Sequence, residues 1–211
     1  MPKHIKVLFN KIYNTFLFNL FFFRKKNTLA TKYWKNIKDN SNHSYEKYII
    51  IDKYAKKILK NVIKYSSKKD KILDICCNVG RHLNFLNNIG YVNLYGFDIN
   101  SLAVNQSVKI FPRLKNINIY CSSAETFFKK FPEKYFDVVY THGATLELIP
   151  PSFNLVKEIS RVVKNYAIIM INEDGHAFPR FWRYEFSFNN LKIIKIEKYD
   201  SLTLFILKKK N

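Results

Sequence analysis

Cysteine, arginine and glycine are all scarce in this chain of 211 residues. The three cysteines, Cys76, Cys77 and Cys121, form an odd set with two adjacent members. That pattern matches neither the CxxC pairs of a zinc site nor the even framework of a disulfide-stapled secreted domain, so a reducing, cytoplasmic setting is expected. No apolar run is long and unbroken. Val7 to Phe23 is rich in Phe and Leu, but Asn10, Lys11, Asn14, Thr15 and Asn19 interrupt it, and a span needs about 20 nearly continuous apolar residues. Arg24-Lys25-Lys26 follows this stretch where a signal peptide would carry a small-residue cleavage site, which argues against a secretory leader. Internal repeats and low-complexity linkers are absent as well.

Only six of the 36 basic residues are arginine. The wealth of Lys, Asn, Ile, Phe and Tyr is what an A/T-rich coding sequence produces, whereas nucleic-acid surfaces favour arginine forks. The net charge of +20 is therefore weak support for a DNA or RNA partner. Its distribution is more informative. Residues 1–70 hold 17 basic and 4 acidic residues, against 19 and 12 in the remainder. This shift, near Ser66 to Asp70, marks a boundary between a basic, amphipathic helical extension (1–66) and a main domain (67–211).

With 47% hydrophobic and 17% aromatic residues, the chain has ample material for one core, and a wholly disordered chain is excluded. In the extension, the polar positions between Val7 and Phe23 recur at helical spacing, which predicts an amphipathic helix. Its apolar face has three candidate partners: the main domain or its cleft, a membrane surface beside the basic cluster, or a second copy. Residues 45–65 form a second helical stripe. Tyr33 and Trp34 belong to the connecting segment, with helix as an alternative.

Beyond Asp70, short apolar runs alternate with helical patterns. Strands are expected at 71–76, 92–98, 117–121, 136–140 and 166–171, and helices at 81–88, 101–110 and 153–163. Two closing strands follow at 191–196 and 203–207, joined by a polar turn at 199–201. Alternation predicts an α/β fold with a mostly parallel sheet. The last two strands lie too close for a crossover, so they pair antiparallel.

In such sheets ligands sit at the carboxyl ends of the strands. The first strand runs into Asp74-Ile75-Cys76-Cys77-Asn78-Val79-Gly80 and then Arg81-His82-Leu83. The second ends at Asp98, where a carboxylate can accept both hydroxyls of a ribose. Together these segments resemble the class I S-adenosylmethionine-dependent methyltransferases, especially the type-11 and type-25 domains, over about residues 70–171. Leu73 to Leu83 is similar to the family's glycine-rich first motif, and Tyr95-Gly96-Phe97-Asp98-Ile99-Asn100 to its second. Cys121 to Glu125 resembles the adenine-bordering segment, and Phe136 to Pro150 the fourth strand with its loop.

The resemblance implies a Rossmann-like sheet, S-adenosyl-L-methionine as cofactor and no metal. It also implies a cofactor site drawn from Asp74, Cys76, Asn78, Gly80, Asp98, Ile99, Ala124, Glu125 and Thr141. Asp98 would hold the ribose, and Asp74 would fix the turn or approach the cofactor's amino group. Two departures stand out. Cys76 and Asn78 occupy positions where the family has glycine; Asn tolerates a left-handed backbone, but the Cys76 Cβ would point toward the cofactor. Ser123 replaces a commoner Asp.

Methyl transfer needs a base only for a hydroxyl or protonated amine, and His142 and His176, each past a strand end, are the candidates. Glu147 lies near the same rim, and Cys77 and Cys121 read as core. The segment from Phe178 to Phe186 reads as an acceptor-pocket wall holding a sugar or anion through Arg180 and Arg183, or as a hydrophobic flap. The favoured function is methyl transfer to a small polar acceptor, such as a sugar or surface-polysaccharide precursor. The alternatives are an RNA or protein methyltransferase and a non-catalytic cofactor-binding protein. A dinucleotide dehydrogenase ranks lower, because a pyrophosphate wants a fuller glycine turn.

Overall fold

A computed structural model describes residues 2–17, 29–37, 43–143 and 145–210. The expected helix over residues 18–23 and the basic cluster at 24–26 lie outside them.

Seven strands form one sheet: β1 (Ile72–Ile75), β2 (Leu94–Asp98), β3 (Asn118–Cys121), β4 (Phe136–His142), β5 (Val163–Ile171), β6 (Leu191–Tyr199) and β7 (Leu202–Lys209), in the order β3-β2-β1-β4-β5-β7-β6. β1 to β5 pair in parallel, and β7 runs antiparallel to both β5 and β6. The closing pair is therefore antiparallel, as the short 199–201 turn requires, but β7 alone is reversed with respect to the sheet. Its turn is made by Asp200 in a left-handed conformation at φ 46°.

Successive strand residues face opposite sides, so the sheet carries a core on each. Leu73, Ile75, Phe97, Val139 and Phe205 belong to one cluster, and Ile72, Leu94, Val138, Tyr140 and Leu204 to the other. Burial on both faces is why the inner strands read as continuous apolar runs.

The helices are α1 (Lys3–Ile12), α2 (Leu29–Lys35), α3 (Lys53–Lys64), α4 (Arg81–Asn88), α5 (Ser101–Ile110), α6 (Ala124–Phe128), α7 (Leu155–Val162) and α8 (Trp182–Phe188). The stripe at 45–65 is divided into a 3-10 turn at Tyr45–Tyr48 and α3. Asp52 is what separates them: its side chain caps α3 by accepting from the amides of Tyr54 (2.8 Å) and Ala55 (2.7 Å). Ile58, Leu59 and Val62 of α3 are buried in the second cluster against Ile72 and Val138. The segment expected to be a wall or flap holds α8, whose Trp182 and Phe186 are buried in the first cluster beside Phe205.

α1 docks in an unexpected orientation. It continues into a π-helical turn at Tyr13–Leu17, where buried Asn14 donates through Nδ2 to the Pro179 carbonyl (3.0 Å) and Thr15 accepts from the Phe181 amide (3.0 Å). Lys11 pairs with Asp174 at 2.5 Å. The polar face meets the domain, and no residue of α1 is buried.

Candidate functional site

Beyond β1 the chain bends sharply through Cys76, Asn78 and Gly80, at φ 57°, 50° and 77°. The left-handed turn that usually depends on glycines is thus present with only Gly80 retained. Asn78 closes it locally, since its Oδ1 accepts from the Val79 amide at 2.9 Å. Cys77 drops behind the loop onto β2, where a Cβ on Gly96 would lie 2.9 Å from its sulfur and 2.7 Å from Leu83 Cδ1. Gly96 is therefore required by the close approach of the loop to β2.

Asp98 ties this bend to its neighbours. One carboxylate oxygen accepts from the Asn78 amide (2.9 Å) and the other from the Asn100 amide (2.9 Å). Burial pushes its pKa above the ordinary carboxylate value, while those amide bonds oppose the shift. A backbone bond from Ile99 adds to these, and with about four acceptor positions on a carboxylate the group still has capacity to accept.

The bend, Asp98 and the carboxyl edge of the sheet surround a cavity of about 820 Å³, within the range of small-molecule and cofactor sites. Cys76, Asn78, Asp98, Ile99, Ala124 and Glu125 all line it. Cys121 lines it too and is exposed, contrary to its expected place in the core. The reason is that β3 is an edge strand, with no strand beyond it to bury its end.

His142, one of the two expected bases, lines the cavity within a polar cluster whose other members, Arg81 and His82, the sequence does not single out. Arg81 donates to the Ile50 carbonyl, pairs with Asp52 at 3.2 Å and stands over the Tyr48 ring. His82 lines the cavity, with Nδ1 3.6 Å from Asp74 Oδ2 and Nε2 buried with no hydrogen-bond partner among the described residues. His142 follows at 5.3 Å between ring centroids, with Nδ1 3.4 Å from an Arg81 nitrogen. Burial first, then the neighbouring His82 and Arg81, push the His142 pKa down to about 3, against the opposing pull of Asp52. Its imidazole is therefore neutral at neutral pH.

Several expected site residues stand elsewhere. Asp74 is buried behind the loop and faces His82; among its described contacts no loop amide is held, and Asp98 fixes the turn instead. Thr141 is buried, donates its hydroxyl to the Ile75 carbonyl at 3.1 Å and is not among the cavity-lining residues. Gly80 starts α4 beneath the loop, against Leu114 and Ile119. His176 is exposed at φ 62° and is not among the cavity-lining residues.

Glu147 neither caps a helix nor faces solvent. It is fully buried, accepts from the Asn172 amide at 2.7 Å, and has its pKa raised to about 7 by burial. Arg180 is buried too, donating to the carbonyls of Leu146 and Ile149, and Arg183 pairs with Glu173 at 2.9 Å. Neither arginine lines the cavity. The cavity instead gains Trp34, Tyr48 and Asp52 from the first third of the chain. The signal for Arg81 was its rarity as an arginine beside the loop.

Known proteins fit this geometry. A family model described as a methyltransferase domain matches residues 72–166. No curated protein matches the sequence significantly. Among solved structures, the chain is similar to magnesium protoporphyrin IX methyltransferase from Synechocystis PCC 6803, determined with bound S-adenosylmethionine. The two share 12% identity with a TM-score of 0.60, over 100% of this chain and 98% of that one. A TehB-like methyltransferase from Corynebacterium glutamicum shares 17% identity at a TM-score of 0.59, covering 76% of this chain and 89% of its own. A methyltransferase from Archaeoglobus fulgidus shares 19% at 0.58, covering 79% and 95%. The structural likenesses establish the fold, and the family match falls on the strands and loops that build the cavity. Residues 72–166 thus match a methyltransferase domain, on a fold shared with S-adenosylmethionine-dependent methyltransferases.

Proposed function

We propose that this enzyme transfers a methyl group to a hydroxyl or amine of a small polar acceptor, a sugar unit being one such acceptor. The observation that carries the reading is Asp98, a carboxylate on the cavity wall, held by the Asn78 and Asn100 amides beside a left-handed bend. The residues present fit the cofactor. Asp98 retains acceptor capacity for a ribose, and the bend reproduces a glycine-type backbone at Cys76 and Asn78. Ile99, Ala124 and Glu125 would border the adenine, and Asp74, Gly80 and Thr141 would support the loop from behind. We assign cofactor binding to residues 67–211, with residues 1–66 closing the cavity through Trp34, Tyr48 and Asp52.

When bound, S-adenosylmethionine supplies a methyl already activated on a sulfonium, which leaves the protein to orient the acceptor, exclude water and remove a proton. His82 is suited to the last task. Asp74 Oδ2 stands 3.6 Å from Nδ1, beyond hydrogen-bond range in this structure, but its charge favours the tautomer with the proton there, which leaves Nε2 to accept another. His142, with its pKa pushed down to about 3, is a weak base and serves as a hydrogen-bond partner.

Titration calorimetry with S-adenosylmethionine and S-adenosylhomocysteine tests the assignment. Asp98→Ala is expected to weaken both at least tenfold, about 1.4 kcal/mol, with a ligand-free melting curve recorded to separate loop loosening from lost contacts. Unchanged affinity in that variant, or no binding by the wild type, would overturn the reading.

A further inference from the structure

α1 turns its apolar side outward. Ile5, Leu8, Phe9 and Ile12 are exposed by 39–59%, and their spacing of three, one and three residues places them on a single helical stripe. The polar side, through Asn14, Thr15 and Lys11, is what the domain holds. Nor does the stripe end with the helix. Phe16 lies 5.1 Å from the Tyr184 ring, and Tyr184 stacks on Phe188 at 5.7 Å. Both belong to α8, and Phe188 is 71% exposed. Two elements distant in sequence thus extend one apolar patch, of a kind that soluble surfaces rarely leave open without a partner.

Charge selects the occupant. The first 38 residues contain nine basic residues and no acidic one, with Lys3 and Lys6 on α1 itself. A second copy would bring the same unbalanced positive charge, and a net +20, against this face. An anionic bilayer surface offers apolar depth and opposite charge together, the pairing that binds amphipathic helices in the headgroup plane. No helix among the described residues is long and apolar enough to cross a membrane, so the contact is peripheral.

We propose that α1, extended by Phe16, Tyr184 and Phe188, docks the enzyme on an anionic lipid surface. The docked loop, Asp174 to Phe181, follows β5 and lies on the same carboxyl edge of the sheet as the cavity. Lipid contact through α1 would then hold that edge near the bilayer. This inference does not depend on the identity of the acceptor.

The test is co-sedimentation of the full chain with vesicles of phosphatidylcholine containing phosphatidylglycerol, and with vesicles of phosphatidylcholine alone. Binding is expected only to the anionic vesicles, and it should weaken as salt rises. Leu8→Asp with Ile12→Asp should reduce it at least tenfold, and Lys3→Glu with Lys6→Glu should reduce it while leaving the apolar stripe intact. Affinity for S-adenosylhomocysteine, unchanged in both variants, reports that the domain remains folded. Three results would overturn the proposal: no binding to anionic vesicles at low salt, equal binding to neutral vesicles, or full binding by the Leu8/Ile12 variant. A concentration-dependent dimer in light scattering, abolished by that variant, would likewise overturn it and assign the patch to a second copy.

Discussion

Replacing Cys76 by glycine tests whether the bend is a backbone device or a side-chain one. Cys76 sits at φ 57°, where an L-residue with a Cβ bears a cost of about 1–2 kcal/mol. Glycine removes that strain but restores chain freedom worth about 0.5–1 kcal/mol to the unfolded state. It also gives up the half-buried packing of the side chain against the Leu73–Phe97 side of the core. These contributions nearly cancel, so Cys76→Gly should change stability by less than about 1 kcal/mol in urea melts. Because Cys76 also lines the cavity, losing its side chain lets a ligand approach the backbone. Affinity for S-adenosylhomocysteine should rise at least threefold, about 0.7 kcal/mol. Asn78→Gly is the counterpart. It forfeits the Asn78 Oδ1 bond to the Val79 amide, worth about 0.5–1.5 kcal/mol, and should destabilise the protein. A clear loss of stability in Cys76→Gly, with no gain in affinity, would refute the reasoning and make the thiol itself a structural part of the site. Chemistry by the thiolate is not expected, since burial holds the Cys76 pKa well above its ordinary value.

Glu147 keeps its proton to about pH 7 in the fold but to only about 4.5 when free. The folded state therefore binds more protons between those values, and stability falls as pH rises through the window. The difference corresponds to roughly 3 kcal/mol. Relative to Glu147→Gln, the wild type should lose that amount between about pH 4.5 and pH 8 in urea melts; parallel pH profiles would refute the shift. The His142 imidazole should take no proton on acidification from neutral pH to about pH 5, a prediction that follows from its pKa of about 3. Histidine ring NMR, assigned with His142→Gln, checks this, and a midpoint near the ordinary value of 6.5 would show that the site is more open. Once an acceptor is identified, His82→Gln should lower kcat by about 10²-fold or more and His142→Gln by less. The reverse order would return the base role to His142.

The sheet was legible because its signals are local. Alternating helix and strand patterns with short connections leave few topologies open, and Arg81–Asn88 and Ser101–Ile110 have the same ends in sequence pattern and structure. Asp98 was legible for the same reason, since a carboxylate at a strand end is placed by the strand itself. The base was not. His82 was read only as part of a helix start, and its meeting with Asp74 depends on how α4 packs over the sheet face that Asp74 shares with Tyr140. His142 and His176 read as positions past strand ends, yet β4 runs through His142, and exposure and burial divide the two in ways that no spacing records.

The N-terminal helix shows where pattern reading stops. Amphipathic periodicity states that a helix has two unlike faces, and the usual inference sends the apolar one inward. Here a few directional bonds decide otherwise. Asn14 and Thr15 satisfy the Pro179 carbonyl and the Phe181 amide of the loop before α8, backbone groups that would be costly to leave unpaired under a packed helix. With those polar residues turned inward, Ile5, Leu8, Phe9 and Ile12 can only point away. The same helix inserted apolar-side down would leave both backbone groups without these partners and place Lys11 away from Asp174. An exposed apolar stripe is thus the consequence of satisfying the loop. Substituting Asn14 by Leu should loosen α1 from the domain and raise its protease sensitivity, rather than improve its packing.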